Sequence, residues 1–352
     1  MIHNPDSEKI DNEQDRRDNQ FKSMLSPLSG KTVLVTGGRG FLGSFVVEKL
    51  RQRGVVEVVA PRSANCDLVD RSAVRALLAS HPFDLVVHLA ARCGGIGANQ
   101  DQPGRFFFDN LVMGAQLVEE ARLAGVPKLV LVGTTCAYPK HTPAPFREED
   151  LWSGYPEETN APYGLAKKML LVQAQAYRRQ YGTNAVVLFP SNLYGPRDHF
   201  DLRTSHVIPA LIRKIDAAVR AGEDMVTLWG DGTPTREFLY VEDCAEGLVL
   251  AAEYYDQSDP INLGSGEEIS IRDLAALVGS LLRYRGRFEY DTARPNGQPR
   301  RVLDTRRALT HFGFAARTPL RVGLQRTIRW WKEKRVDSLH DQVDHGRDGP
   351  AL

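Results

Sequence analysis

Tyr163 and Lys167 stand four residues apart, a spacing that sets both side chains on one face of a helix. A free phenol titrates near ~10 and is a poor acid–base group at neutral pH. A lysine ammonium one turn away favours the phenolate, so the pair is expected to exchange a proton with a carbonyl oxygen. Upstream, residues 36–43 read TGGRGFLG. Gly37, Gly40 and Gly43 allow a tight turn and close backbone approach to a pyrophosphate, and the helix they open, beginning with Phe41 and Leu42, offers free N–H groups to it. A proton donor together with a dinucleotide cradle points to hydride transfer.

The cofactor follows from the adenosine end. Enzymes that use NAD place an acid at the tip of the second strand, whereas arginine there accommodates a 2′-phosphate. Here that strand leads into Pro61-Arg62-Ser63, and Arg39 lies within the glycine loop itself. Two arginines without a carboxylate favour NADP(H), although Arg62 alone also suits a solvated surface residue.

These residues need a scaffold, and apolar runs alternating with helical patterns supply one. Strands are expected over residues 31–36, 55–60, 84–90, 128–133 and 185–189, with helices over 40–52, 103–124 and 162–180. Such alternation implies right-handed βαβ units and a doubly wound parallel sheet of the Rossmann type. Beyond residue 190 the pattern mixes short strands (225–229, 236–240, 261–264, 268–271) with helices at 207–221 and 272–282, as expected of a smaller α/β lobe that closes over the sheet. Residues 30–190 are thus the dinucleotide-binding domain, to which some later segments return, and 191–335 mainly the substrate lobe. Residues 1–29 form a polar leader expected to be disordered, and 336–352 a polar tail expected to fray.

The 352 residues are 42% hydrophobic and 25% charged, with a net charge of +1. That balance favours neither nucleic acid nor a membrane surface. No apolar run of membrane-spanning length and no signal core are present. The four cysteines form no C-x-x-C pair and no zinc spacing, so no metal is expected, and they read as reduced cytoplasmic thiols.

The gap between Gly37 and Gly40 and the Tyr-x-x-x-Lys pair resemble the extended short-chain dehydrogenases. That resemblance makes Thr134, at the end of the fourth strand, the hydroxyl that holds the substrate carbonyl, and Asn110 a structural asparagine. It also carries Asp67, Leu68 and Ala90 over to the cofactor site. Seven runs resemble one family more closely, the GDP-L-fucose synthases: 91–97 (ARCGGIG), 133–140 (GTTCAYPK), 156–163 (PEETNAPY), 192–196 (NLYGP), 205–211 (SHVIPAL), 236–239 (REFL) and 298–301 (QPRR). The resemblance covers about residues 31–331.

The resemblance implies 3,5-epimerisation and NADPH-dependent 4-reduction of a GDP-linked 4-keto-6-deoxy sugar by a homodimer. It assigns Cys136 as base, His206 as acid, and Asn192, Lys214, Trp229, Arg236 and Arg301 to the substrate. Sugar dehydratases of similar sequence carry a carboxylate where Cys136 stands, so this chain lacks their acid. Read singly, Cys136 suits a small buried hydrophobe, His206 a helix start, Trp229 a core residue and Arg236 an ion-pair partner. Thr134 in place of serine, and Arg92-Cys93 in place of a basic residue and valine, depart from the commonest family pattern. A relative acting on another GDP-sugar, such as a GDP-L-colitose synthase, and a silent NADP-binding regulator are the rival readings. The intact Tyr163, Lys167, Thr134, Cys136 and His206 weigh against the second.

Overall fold

In the computed structural model, residues 26–344 are described, apart from Gly95, Arg203 and Pro295. Residues 1–25 and the last eight lie outside them; the end of the expected leader, residues 26–29, forms a turn whose Leu28 is buried in the core. Five short apolar runs become parallel strands: β1 (Thr32–Thr36), β2 (Glu57–Val59), β3 (Leu85–His88), β4 (Lys128–Val132) and β5 (Asn184–Pro190). Between them lie α1 (Phe41–Gln52), α2 (Arg71–Ala79), α3 (Ile96–Asp101), α4 (Pro103–Leu123) and α5 (Ala161–Tyr181). Asp70 starts α2 by accepting the Ser72 N–H at 2.8 Å. Gly182 ends α5 in the left-handed region, where a residue without Cβ is unstrained.

The remaining elements are β6 (Asn192–Tyr194), α6 (Val207–Ala221), β7 (Met225–Trp229), β8 (Thr235–Tyr240), α7 (Val241–Tyr254) and β9 (Ile261–Leu263). After them come β10 (Glu268–Ser270), α8 (Ile271–Leu282), β11 (Arg287–Asp291), α9 (Arg306–Phe312) and α10 (Leu320–Asp344). The main sheet runs β2-β1-β3-β4-β5-β9, all parallel. Strand residues alternate between its two faces. Val33 and Val35 join a core with α1 and α7, while Leu34 joins the opposite core with α2, α4 and α5. A third core, built by α6, α8 and α10, belongs to the lobe.

The structure differs from the sequence reading at β9. Residues 261–263 do not belong to the lobe but form the sixth strand of the main sheet, with Leu188 opposite Ile261. All three are buried, as in an interior parallel strand, and a short apolar run does not reveal which sheet it joins. Helix α10 also continues as far as Asp344, past the point where the polar tail was expected to begin.

Candidate active site

β1 delivers the chain into the glycine turn, where Gly37 has φ 71°. A Cβ there would sit 2.8 Å from the Ala90 nitrogen, and one on Gly43 would lie 2.0 Å from the Gly37 carbonyl oxygen. Strand end, turn and helix start are therefore packed too closely for any side chain, which is the cradle a pyrophosphate needs. Gly40 is the N-cap of α1, without a side chain over the free N–H groups.

The turn opens on a cleft of about 1380 Å³. Gly37, Arg39, Gly40, Phe41, Leu42 and Gly43 line one end, with Arg62, Asp67, Leu68 and Ala90 beside them. The Arg39 Nε donates to the Ala60 carbonyl at 3.0 Å, across the tip of β2. Among the described residues no ion pair holds Arg39 or Arg62, so both charges face the cleft available to a phosphate. These residues fit a phosphorylated dinucleotide.

Thr134, Cys136, Tyr163, Lys167, Asn192 and His206 line the other end of the same cleft. Thr134 sits where β4 ends; its hydroxyl accepts the Cys136 N–H at 3.2 Å and lies beside the Tyr163 phenol. Helix α5 rides on this turn, since a Cβ on Gly164 would lie 2.2 Å from the Cys136 carbonyl oxygen. That glycine, inside the Tyr-x-x-x-Lys motif, lets the phenol approach the strand end. His206 caps α6 through its backbone alone, so its imidazole is not spent on the helix start. Asn110 accepts the Arg92 N–H at 3.0 Å and donates to the Arg92 and Phe106 carbonyls at 2.9 and 2.7 Å, a purely structural role.

Electrostatics correct one expectation. Burial pushes Tyr163 well above the ordinary phenol range, Cys93 and Cys136 add to this, and the Thr134 hydroxyl opposes it. Lys167 is not among the groups that shift the phenol, and burial lowers its own ammonium to about 8. Burial, then the neighbouring His199, lowers His206.

The remaining assignments divide. Arg236 and Arg301 both face Cys136: an Arg301 Nη1 lies 3.7 Å from the sulfur, and Arg236 is pushed down to about 10 by burial and by Arg301. No carboxylate pairs with Arg236 among the described residues, so the ion-pair reading fails. Lys214 and Trp229 do not line the main cleft. Lys214 donates to the Thr227 carbonyl at 3.3 Å and lines a separate pocket of the lobe. Trp229 is 56% exposed under the Arg294 guanidinium, not a core residue.

Sequence reasoning missed several ionisable groups in the cleft wall, among them Cys93, Asp198 and His199. Cys93 was visible only as a departure from the family pattern. Asp198, pushed up to about 7 by burial, carried no signal in the sequence. Among the described residues no cluster of His, Cys, Asp or Glu has the arrangement of a metal site, and no helix is long and apolar enough to cross a membrane.

The family model for NAD dependent epimerases/dehydratases matches residues 33–264. A GDP-L-fucose synthase from Sinorhizobium fredii is 41% identical over 300 residues, covering 85% of this chain and 95% of that protein. The chain belongs to the GDP-L-fucose synthase branch of the NAD dependent epimerase/dehydratase family. A branch member from Escherichia coli K12 is 37% identical, covering 87% of this chain and 98% of its own. The GDP-L-colitose synthase of Yersinia pseudotuberculosis is 32% identical over 87% of this chain and 99% of that one. Among solved structures, a GDP-L-fucose synthetase from Naegleria fowleri bound to NADP superposes with a TM-score of 0.80 at 27% identity, over 89% of this chain and 97% of that one. The family match spans β1 to β9 and so includes the strand that returns to the main sheet.

Proposed function

We propose that this protein converts GDP-4-dehydro-6-deoxy-D-mannose into GDP-L-fucose, first by 3,5-epimerisation and then by 4-reduction with NADPH. The observation that carries this reading is one continuous cleft that holds the glycine turn, the Thr134–Tyr163 pair, the Cys136 thiol and the His206 imidazole.

The C4 ketone acidifies the hydrogens on C3 and C5. Cys136, as thiolate, takes a C–H proton to become a thiol and leaves an enolate whose oxygen is held by Thr134 and Tyr163. His206 returns a proton to carbon from the opposite face, inverting the centre. Bound NADPH supplies the hydride for C4, and Tyr163 gives its phenolic proton to the oxygen as the alcohol forms. Arg39 and Arg62 hold the 2′-phosphate, and Asp67, Leu68 and Ala90 the adenine side. Asn192 and Arg236 contact the substrate, Arg236 toward its GDP end; Lys214 and Trp229, outside the main cleft, take no part in this reading.

We also assign the active form as a homodimer paired through α4 and α5, which carry Phe108 and Val172, 56% and 44% exposed, on helices that pack together. The four unpaired cysteines suit a reducing cytoplasm.

The test supplies the keto sugar and NADPH in heavy water and identifies the product. GDP-L-fucose with deuterium at C3 and C5 is expected. Loss of NADPH without deuterium would reduce the proposal to a plain reductase. Turnover only of a different GDP-linked 4-keto sugar would instead favour a relative such as the GDP-L-colitose synthase of Yersinia.

A further inference from the structure

Two consecutive arginines behave differently. Arg300 turns outward and makes a two-point contact with the Glu268 carboxylate, at 3.1 and 2.6 Å. Arg301 turns inward, is only 9% exposed, and makes no ion pair among the described residues. Its Nε and Nη2 donate to the Gln298 Oε1 at 3.2 and 3.1 Å, and its Nη1 points at the Cys136 sulfur, 3.7 Å away. The Gln298 amide in turn donates to the Lys140 carbonyl at 2.9 Å and to that of Pro139 at 3.4 Å. Those carbonyls belong to the loop that carries Cys136. The guanidinium and the thiol are thus fixed to each other through one glutamine, and the Glu237 N–H anchors the Arg301 backbone at 3.0 Å.

A buried guanidinium keeps its charge and needs an anion or full hydrogen bonding to offset its lost hydration. Gln298 is neutral, Glu268 is engaged by Arg300, and Arg236 brings a second positive charge beside the first. The acceptor left facing Arg301 is the sulfur of Cys136. A thiolate next to a guanidinium is the arrangement that makes a cysteine a base or nucleophile.

We propose that Arg301, clamped by Gln298, is a positioning residue that holds Cys136 as a thiolate directed into the cleft. This inference rests on the reading of Cys136 as the epimerisation base. It differs from the sequence expectation, in which Arg301 contacts the substrate.

The test is the rate at which iodoacetamide alkylates Cys136 at neutral pH, followed by peptide mass spectrometry so that Cys66, Cys93 and Cys244 are counted separately. In Arg301→Gln the rate at Cys136 falls about tenfold or more, the scale of one charge-assisted hydrogen bond. Arg301→Lys restores most of it, and added guanidinium ion partly rescues Arg301→Gln. Gln298→Ala, which loosens the guanidinium without removing its charge, gives a smaller fall and serves if Arg301→Gln does not fold. An unchanged alkylation rate with a raised KM would overturn the proposal and return Arg301 to substrate binding. Failure of the base reading is seen separately, as normal deuterium wash-in by Cys136→Ser.

Discussion

The Tyr138 hydroxyl donates a 2.7 Å hydrogen bond to the Asn262 Oδ1, joining the loop after β4 to the middle of β9. Asn262 is fully buried, and its backbone N–H reaches the Glu148 carboxylate at 2.9 Å. Its side-chain amide also spans the Phe146 and Asp304 carbonyls, at 3.0 and 3.3 Å. One asparagine on the returning strand therefore ties down the loop that presents Thr134 and Cys136. Replacing it by leucine strands the buried Tyr138 hydroxyl and removes a donor from the Phe146 and Asp304 carbonyls. Asn262→Leu is expected to lose about 2–4 kcal/mol in urea unfolding, since each unsatisfied buried group costs ~1–3 kcal/mol. A loss under ~1 kcal/mol would mean that the loop is held elsewhere.

Tyr163 and Cys136 serve different steps and their variants should separate them. Tyr163→Phe removes the proton donor for O4, and NADPH oxidation is expected to fall by roughly 10²–10⁴-fold, the usual worth of a general acid. Cys136→Ser should stop solvent deuterium from entering the sugar while NADPH titrates normally, because the glycine turn and its arginines are untouched. Wild-type wash-in by the serine variant would remove Cys136 from the mechanism.

The sheet, the glycine turn and the Tyr–Lys pair were legible in the sequence because each is local: a strand, a turn or one helix face. Tertiary facts were not. The placement of β9 depends on α7 packing against α1, which no short apolar run records. The upward shift of Tyr163 comes from how deeply α5 is buried, whereas spacing alone predicted the opposite sign. Arg301 reaches Cys136 from 165 residues along the chain, through Gln298. The family motif marked that run as important without telling which of its two arginines faces inward.

Cofactor choice rests on Arg39 and Arg62. Removing both charges and giving the tip of β2 an acid, as in Arg39→Ser combined with Arg62→Asp, should cut kcat/KM for NADPH by about 10²-fold, two lost charge-assisted contacts. Activity with NADH should hold or rise. Equal losses with both cofactors would show that these arginines support the fold and not the 2′-phosphate.

Glu237 makes stability depend on pH. Its carboxylate is fully buried, accepting the N–H groups of Gly266 and Leu303 at 2.6 and 2.9 Å, and burial raises it from 4.5 to about 7 despite those hydrogen bonds. The folded state thus keeps a proton that the unfolded chain releases near 4.5. The resulting stabilisation is present in full below that value and is lost as pH rises through about 7. His88, buried and held neutral by burial and by Lys167, works in the opposite sense, because the unfolded chain protonates it below 6.5. Wild-type stability therefore mixes two slopes, and the informative quantity is the difference between wild type and Glu237→Gln. Urea unfolding at about pH 5 and about pH 8 should find the variant gaining on wild type by up to ~3 kcal/mol at the higher pH. A difference that stays constant, or that moves the other way, would mean that Glu237 is ionised in the folded protein throughout this range.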